Sequence, residues 1–408
     1  GAGAKSASFV ASGTLASGQA VALKSNGQVE AITGVVEGAG TPTTYLASGP
    51  EAVSSAYDPI QNVFVVCYRD GSGLGQAAVG SVSGTTISFA TPVVVTTSYF
   101  FASSVVYDAN AAKFLVVYHN GSSGYVDGVV GTVSSGTISF GSIAVLRSNG
   151  TNFVTAAYNT TQQKTLVFYA RNSGGNYGYG FVATISGTSV SSGTDTQVQA
   201  ADTSYPTATY NSTADKIVLA WRGSSSYGYT VLATISGTSV SFGTIGAFNS
   251  AATAYIAVSY DTVQNSMLYA YQESSGSFVG YAACGQVSGA AIAFGSRITF
   301  MATNAYYMKS VYVPSKTSHL VTGGFVPLLG TYISVSGGTT PTAATGVQIS
   351  AEGQGNLRTS VLYDSSLLLP IVTFKPSANV GASAIYNSAS SNNTSFVGIT
   401  DEAISSAA

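Results

Sequence analysis

An all-β fold made of one repeated four-stranded unit is what this sequence predicts, on three observations. The first is a period. Tyrosines at Tyr57, Tyr107, Tyr158, Tyr210, Tyr260, Tyr312 and Tyr363 stand 50, 51, 52, 50, 52 and 51 residues apart, and a steady period of this length marks a repeat array. The second is a shared grammar, clearest in Tyr210–Gly243, YNSTADKIVLAWRGSSSYGYTVLATISGTSVSFG. The third is composition: 7% of the 408 residues are charged and 45% are hydrophobic, with 26 Tyr, 18 Phe and 47 Gly. Few charges with many aromatic and β-branched residues favour sheet over disorder.

Each repeat begins with a strand ending in Tyr, followed by Asp or Asn and a turn except in the sixth, where Val313-Pro314 follows Tyr312. In the second copy the strands are expected at Ser103–Tyr107, Lys113–Tyr118, Gly128–Val133 and Thr137–Phe140, the last running on toward Val145. The turns between them, YDANAAK, HNGSSGY and SSG, carry the Gly, Asn, Asp and Ser that tight turns require. The second strands (VFVVCY, FLVVYH, TLVFYA, IVLAW) are unbroken apolar runs, the pattern of a strand buried on both faces. No helical period of apolar residues occurs, and Gly interrupts wherever a helix would have to continue. A unit of about 50 residues with a doubly buried middle must stack against its neighbours. A ring of radial sheets satisfies every copy, so the expected architecture is a seven-bladed β-propeller of four-stranded blades. Tandem β-sandwiches would need about 100 residues per unit.

The expected organisation is a lead and hairpin over 1–34, the seven repeats over 35–398 and a tail over 399–408. The hairpin, QAVALKSNGQVEAIT, has two alternating runs around Ser25-Asn26-Gly27, a strong hairpin signal. Residues 35–51 read as a loop with one short strand. The sixth and seventh copies are less regular, and the seventh loses clear strands after Tyr386. An unfinished last blade and a spare leading hairpin are complementary, because an open sheet edge is an aggregation hazard. Gln28–Thr33 is therefore expected in one sheet with Leu367–Phe374 and Ala382–Tyr386, at its outer edge. The alternative is that Phe396–Thr400 completes the blade and the hairpin pairs elsewhere as a docking module. The small-residue start, without a leader or an initiator Met, suggests a processed, trimmed or excerpted chain.

Several function classes find no support. Fourteen basic residues scattered singly, with a net charge of −2, form no basic stripe for nucleic acid. Apolar runs of about eight residues fall far short of the roughly 20 that a spanning helix needs. Cys67 and Cys284 lie on different strands of distant repeats and read as small buried hydrophobes. The Asp or Asn after six of the seven tyrosines (Asp58, Asp108, Asn159, Asn211, Asp261, Asp364) stands without a second carboxylate. Exchange of Asp for Asn suits an Asx-turn better than a calcium site. His119 and His319 lie in no ligand-spaced cluster, and Glu30, Glu37, Glu51, Glu273, Glu352 and Glu402 share no motif. No catalytic residue, metal or cofactor is expected. The Ser-x-Asp-x-Gly-x-Thr-Trp box of sialidase-like propellers is absent, as are Trp-Asp pairs and the paired glycines of kelch repeats.

The Tyr-rich loops are the functional lead. Tyr177 and Tyr179 in one copy match Tyr227 and Tyr229 in the next, with Tyr125 and Phe278 extending the series. Tyr and Gly in loops make a low-entropy, amphipathic contact surface. The competing reading is that these rings begin the third strand and pack between blades, since alternate positions face inward. Trp221, ending a buried strand, reads as core.

The opening ASGTLASGQAVALKSNGQVEAIT and the closing TSFVGITDEAISSAA resemble segments that bracket propeller-type repeats in tail-fibre and other structural proteins of tailed bacteriophages, particularly marine ones. The resemblance implies a non-enzymatic virion-surface role in adhesion, decoration or fibre assembly. The partners it implies are other virion or surface-assembly proteins, with copies of the chain itself and a host-surface glycan as further candidates, and neither nucleic acid nor membrane insertion. A secreted or cell-surface glycan-binding propeller or filament subunit is the alternative, and a glycan-degrading enzyme the third reading.

Overall fold

The computed structural model describes residues 10, 14, 20–23, 28–31, 38–46, 49–274, 276–352, 359–376, 380–387 and 396–399. The chain forms two compact units: Ala39–Tyr386, and a smaller one from Gly1–Gly38 with Asn387–Ala408.

In the larger unit the described strands form antiparallel meanders that follow the sequence repeat. Five sheets have five strands each, and one has nine. The nine-stranded sheet arises because Val93–Asp108 is a single long strand serving two meanders. Val93 stands opposite Ala77 in one of them, and Val105 opposite Val116 in the next. The first strands of the meanders neighbour one another in cyclic order: Glu51–Asp58, Val93–Asp108, Thr151–Asn159, Ser204–Asn211, Thr253–Asp261, Lys309–Val313, Ser360–Asp364, and back to Glu51–Asp58. The fold is a β-propeller.

The second strands are buried on both faces, as their unbroken apolar runs require. In Val63–Arg69, Val63, Val65 and Cys67 face one inter-sheet core while Phe64, Val66 and Tyr68 face another. Trp221 does the same work in Lys216–Arg222: with Ile217 and Leu219 it fills one core, while Val218 and Ala220 enter the next. Each such aliphatic or aromatic side chain contributes about 1.5–3 kcal/mol on burial, so the stacking of sheets carries the fold. Cys67 and Cys284 are unpaired and buried, and burial pushes both thiols up to about 12.

The recurring Asp or Asn forms the expected Asx-turn. Ile60 and Gln61 donate their N–H groups to Asp58 Oδ1, Val263 and Gln264 to Asp261, and Ser366 and Leu367 to Asp364. Asn159 and Asn211 accept from Gln162 and Ala214 in the same way. The tyrosine beside the turn reaches the preceding meander: Tyr260 donates to Thr213 Oγ1 at 2.6 Å, and Tyr210 lies 2.8 Å from Thr161 Oγ1.

The fourth strand is split. In the second meander Thr137–Phe140 pairs with one half of Tyr125–Ser134, and Ala144–Arg147 pairs with the other half. The break falls at a recurring glycine, which closes Ser-Phe-Gly at Gly141 and Gly243, Ser-Ser-Gly at Gly193 and Ala-Phe-Gly at Gly295. A Cβ on Gly141, Gly193, Gly243 or Gly295 would lie 2.0, 1.9, 2.4 or 2.2 Å from a carbonyl oxygen in the next meander's turn. No side chain fits there.

Ring closure differs from the sequence expectation. Gln28–Thr33 was expected beside Leu367–Phe374 and Ala382–Tyr386, but Val29–Ala31 pairs with Ala20–Leu23, which pairs in turn with Phe396–Ile399. That three-stranded sheet belongs to the smaller unit. The edge of Gly381–Asn387 is met instead by Thr43–Leu46, with Leu46 opposite Gly381 and Thr44 opposite Ala382. Alternation marks a strand but names no partner. Thr43–Leu46 fits this edge because Tyr45 drives its ring into the core, 5.0 Å from Tyr68 and 5.5 Å from Phe89. The Ser25-Asn26-Gly27 turn and the tail beyond Ile399 lie outside the described residues.

Candidate functional site

The cyclic inner strands enclose a channel of about 590 Å³. Its wall is set by one position of the repeat, three residues before the recurring tyrosine: Ser54, Ser104, Thr155, Thr207, Ala257, Lys309 and Ser360. Hydroxyls dominate this layer. Ser55 and Ser360, from the first and last meanders, lie 2.6 Å apart at Oγ, and Ser54 and Ser103 lie 2.9 Å apart. No Asp or Glu lines the channel among the described residues.

Two positions earlier along the chain, at the channel mouth, the residues turn aromatic: Phe153, Tyr205 and Tyr255 on their strands, and Tyr307 just before Lys309–Val313. Their ring centroids follow one another around the mouth at 5.9, 4.9 and 4.8 Å. Tyr306 continues the collar 5.4 Å from Tyr255, with Phe278 and Phe325 against it at 5.3 and 6.0 Å. Phe278 and Phe325 expose 37% and 44% of their surface. The backbone here is unusual: Tyr205, Tyr255 and Tyr307 have φ of 50°, 49° and 53°, a region that bulky residues seldom adopt. In the first two the register also shifts, between Ser204 and Thr207 and between Ala254 and Ala257. Such a bulge re-aims side chains, and the rings face the mouth.

Two cations stand at this site. Arg222 lies 5.0 Å over the Tyr205 ring. Lys309 lies in the wall, where loss of solvent holds its ammonium below the ordinary lysine range.

The residues singled out from the sequence lie mostly elsewhere. Tyr177 and Tyr125 begin third strands and are half-buried. Tyr179 lies under the Arg171 guanidinium at 3.7 Å, and Tyr229 stacks on Trp221 at 6.1 Å against the core. Tyr227 is half-buried after the short turn Ser224–Ser226. Phe278 is the member of the set that touches the collar. Phe153, Tyr205, Tyr255 and Tyr307 were missed. Their signal was present, an aromatic five residues before the recurring tyrosine in four successive repeats.

Both histidines are held in packing. His119 lies against Phe101 at 5.3 Å, and its pKa is lowered by burial. His319 is fully buried with Nδ1 2.7 Å from Ser259 Oγ, and desolvation lowers its pKa to about 3. Among the described residues no three His, Cys, Asp or Glu side chains are placed to hold a metal ion.

No protein-family model matches the sequence, and comparison with curated proteins returns no match. Solved structures do match. The BP39L lectin from Burkholderia pseudomallei superposes with a TM-score of 0.64 at 12% identity, covering 86% of this chain and 100% of that one. The periplasmic gluconolactonase of Pseudomonas aeruginosa gives 0.55 at 10%, covering 74% and 86%. A chain of the Mitotic Checkpoint Complex gives 0.52 at 12%, covering 86% and 93%. At such identities the likeness concerns the fold, and function has to be argued from the site.

Proposed function

We propose that this propeller is a non-enzymatic carbohydrate-binding protein whose ligand sits at the collared mouth of the channel. The observation that carries the reading is the collar itself, four aromatic rings joined by Tyr306, Phe278 and Phe325 and set above a layer of Ser and Thr hydroxyls. Ring faces accept the C–H faces of a sugar, and hydroxyls match its polar edges. A volume of about 590 Å³ falls within the roughly 300–1,000 Å³ usual for ligand sites. The lectin neighbour supports this by analogy of fold alone. Glycosidic cleavage needs a pair of carboxylic groups across the bond, and the described channel wall offers none.

The test is a glycan array followed by calorimetry on the best hit. Tyr205→Ser and Tyr255→Ser should weaken binding at least tenfold with the fold intact by circular dichroism. Tyr177→Ser and Tyr179→Ser, at the positions first suggested by sequence, test the outer part of the same end of the sheets, where Arg171 pairs with Thr151 on one side and Tyr177 on the other. If those two abolish binding while the collar variants do not, the site has been misplaced. Turnover of a sugar or sugar lactone lost with one acidic residue would make the protein an enzyme.

The same proposal places the binding on an exposed surface, in a virion tail or comparable assembly. The resemblance of the two terminal segments to phage structural proteins supports that part. Mass spectrometry of purified particles tests it, and absence of the chain from every particle would remove it.

A further inference from the structure

Among the described residues the arginines near the sheet edges have carboxylate partners. Arg69 pairs with Glu51, Arg147 and Arg171 share Asp195 at 2.6 and 2.5 Å, and Arg297 meets Glu273 at 2.5 Å. Lys309 and Arg222 depart from this rule. Neither makes an ion pair among the described residues, and no carboxylate lines the channel that Lys309 enters.

Lys309 also breaks the pattern of its layer. The six equivalent positions hold Ser, Ser, Thr, Thr, Ala and Ser, small side chains that satisfy a narrow wall. A long cationic side chain is not required by packing there, since a hydroxyl or a methyl serves in every other repeat. A half-buried ammonium without a counter-charge is unfavourable, and its lowered pKa registers that cost. An anion arriving through the mouth would relieve it.

We propose that the channel selects a saccharide bearing a negative charge, a carboxylate or a sulfate ester, with the charged group against Lys309 and the sugar ring against the collar. This rests on the carbohydrate reading above. Arg222, 5.0 Å from the Tyr205 ring centroid, adds a second positive field at the entrance. A lysine is a point charge without the planar fork of arginine, so the structure favours negative charge over one anion geometry, and the experiment separates the two.

The probes are an oligogalacturonate, a sulfated galacto-oligosaccharide and the neutral parent, titrated by calorimetry into the full chain. At least one charged probe should bind about tenfold or more tightly than the neutral one, equivalent to about 1.4 kcal/mol. Which charged arm wins identifies carboxylate or sulfate. Lys309→Thr, which restores the hydroxyl layer, should bring the charged and neutral probes to within about twofold of one another. Lys309→Arg should keep it, and the preference should shrink as salt is raised. Equal binding of all three probes, or a preference that survives Lys309→Thr, overturns the charge inference while leaving the collar reading in place. Should Lys309→Thr fail to fold, a salt-independent preference in the unaltered chain overturns it equally. Binding that ignores Tyr255→Ala, or no binding to any array glycan, sinks both readings.

Discussion

If the ring closes through Thr43–Leu46, one residue far from the end of the chain should control the exposure of that end. Tyr45 is the residue to change. It retains 6% of its surface and touches Tyr68 and Phe89, and its ring lies where a Cβ on Gly381 would meet it at 2.7 Å. Truncating a buried aromatic ring to alanine costs about 3–5 kcal/mol. Unfolding entropy of about 2.1 cal/mol/K per residue, over the roughly 350 residues of Ala39–Tyr386, gives about 0.7 kcal/mol/K. Tyr45→Ala should therefore lower Tm by about 4–7 °C. Tyr45→Phe is the informative control, because the Tyr45 hydroxyl is buried without a hydrogen-bond partner. Removing a desolvated, unpaired hydroxyl is neutral or stabilising by about 1 kcal/mol. Scanning calorimetry reads both, and hydrogen exchange across Gly381–Asn387 reads the closure itself. Protection lost there in Tyr45→Ala, ahead of the sheets between, is the expected signature. A Tm shift below about 2 °C with unchanged exchange at Gly381–Asn387 would refute closure by this strand.

Other expectations follow from the same geometry. His319 has a folded pKa of about 3 against 6.5, so its contribution is complete above pH 6.5 and is lost as pH falls toward 3. Linkage puts the loss on the order of 3–5 kcal/mol; His319→Gln should flatten the Tm profile between pH 7 and 4, and an unchanged profile would count against it. Gly193→Ala places a Cβ 1.9 Å from the Thr238 carbonyl oxygen, whereas Gly187→Ala meets nothing within 4 Å and bears only its φ of 61°. The first should cost well over 2 kcal/mol and the second about 1–2 kcal/mol in urea unfolding; equal losses would contradict the contact. Asp58→Ala should cost about 1–3 kcal/mol and Asp58→Asn less, about 1 kcal/mol, because Oδ1 serves the Ile60 and Gln61 N–H groups, which Asn keeps, while Oδ2 accepts from Gln61 Nε2, which Asn loses. A large loss in Asp58→Asn would mean that the carboxylate charge matters after all.

The repeat was legible because it is local. Turn chemistry at Asp58 or Asn211 needs two or three neighbouring residues, and the double burial of Val63–Tyr68 is written as an unbroken apolar run. The split fourth strand was only half legible. Thr137–Phe140 ends where read, but Ala144–Arg147 is a separate segment, since the break at Gly141 is imposed by a carbonyl of the following meander. Closure failed as a reading for a related reason. The leading hairpin and Thr43–Leu46 both look like strands, and the choice between them rests on where Tyr45 finds a core, a contact with residues such as Phe89. The collar is hard to read from sequence because a tyrosine flanked by glycine, as at Tyr177 and Tyr227, is the stronger local sign of a contact loop. Tyr205, Tyr255 and Tyr307 have no glycine beside them and adopt left-handed backbone that sequence preference argues against.

That left-handed backbone bears on why the rings are there. A non-glycine residue held in this region costs on the order of 1–3 kcal/mol, and three bulky tyrosines share the arrangement. Ala52 occupies the equivalent bulge, with φ of 50° and a register shift between Glu51 and Ser54, and it has no ring. The bulge is thus a property of the propeller's inner strand, and the aromatic is a separate choice laid upon it. Core burial does not account for that choice, since Tyr205, Tyr255 and Tyr307 stay partly exposed while Tyr68 or Tyr169 vanish into the cores. Ring-to-ring contact recovers about 0.5–1.5 kcal/mol per pair, comparable with the strain and no more. What these rings add over alanine is a continuous apolar rim above a hydroxyl wall with one unpaired ammonium, and that is the combination a charged sugar would need.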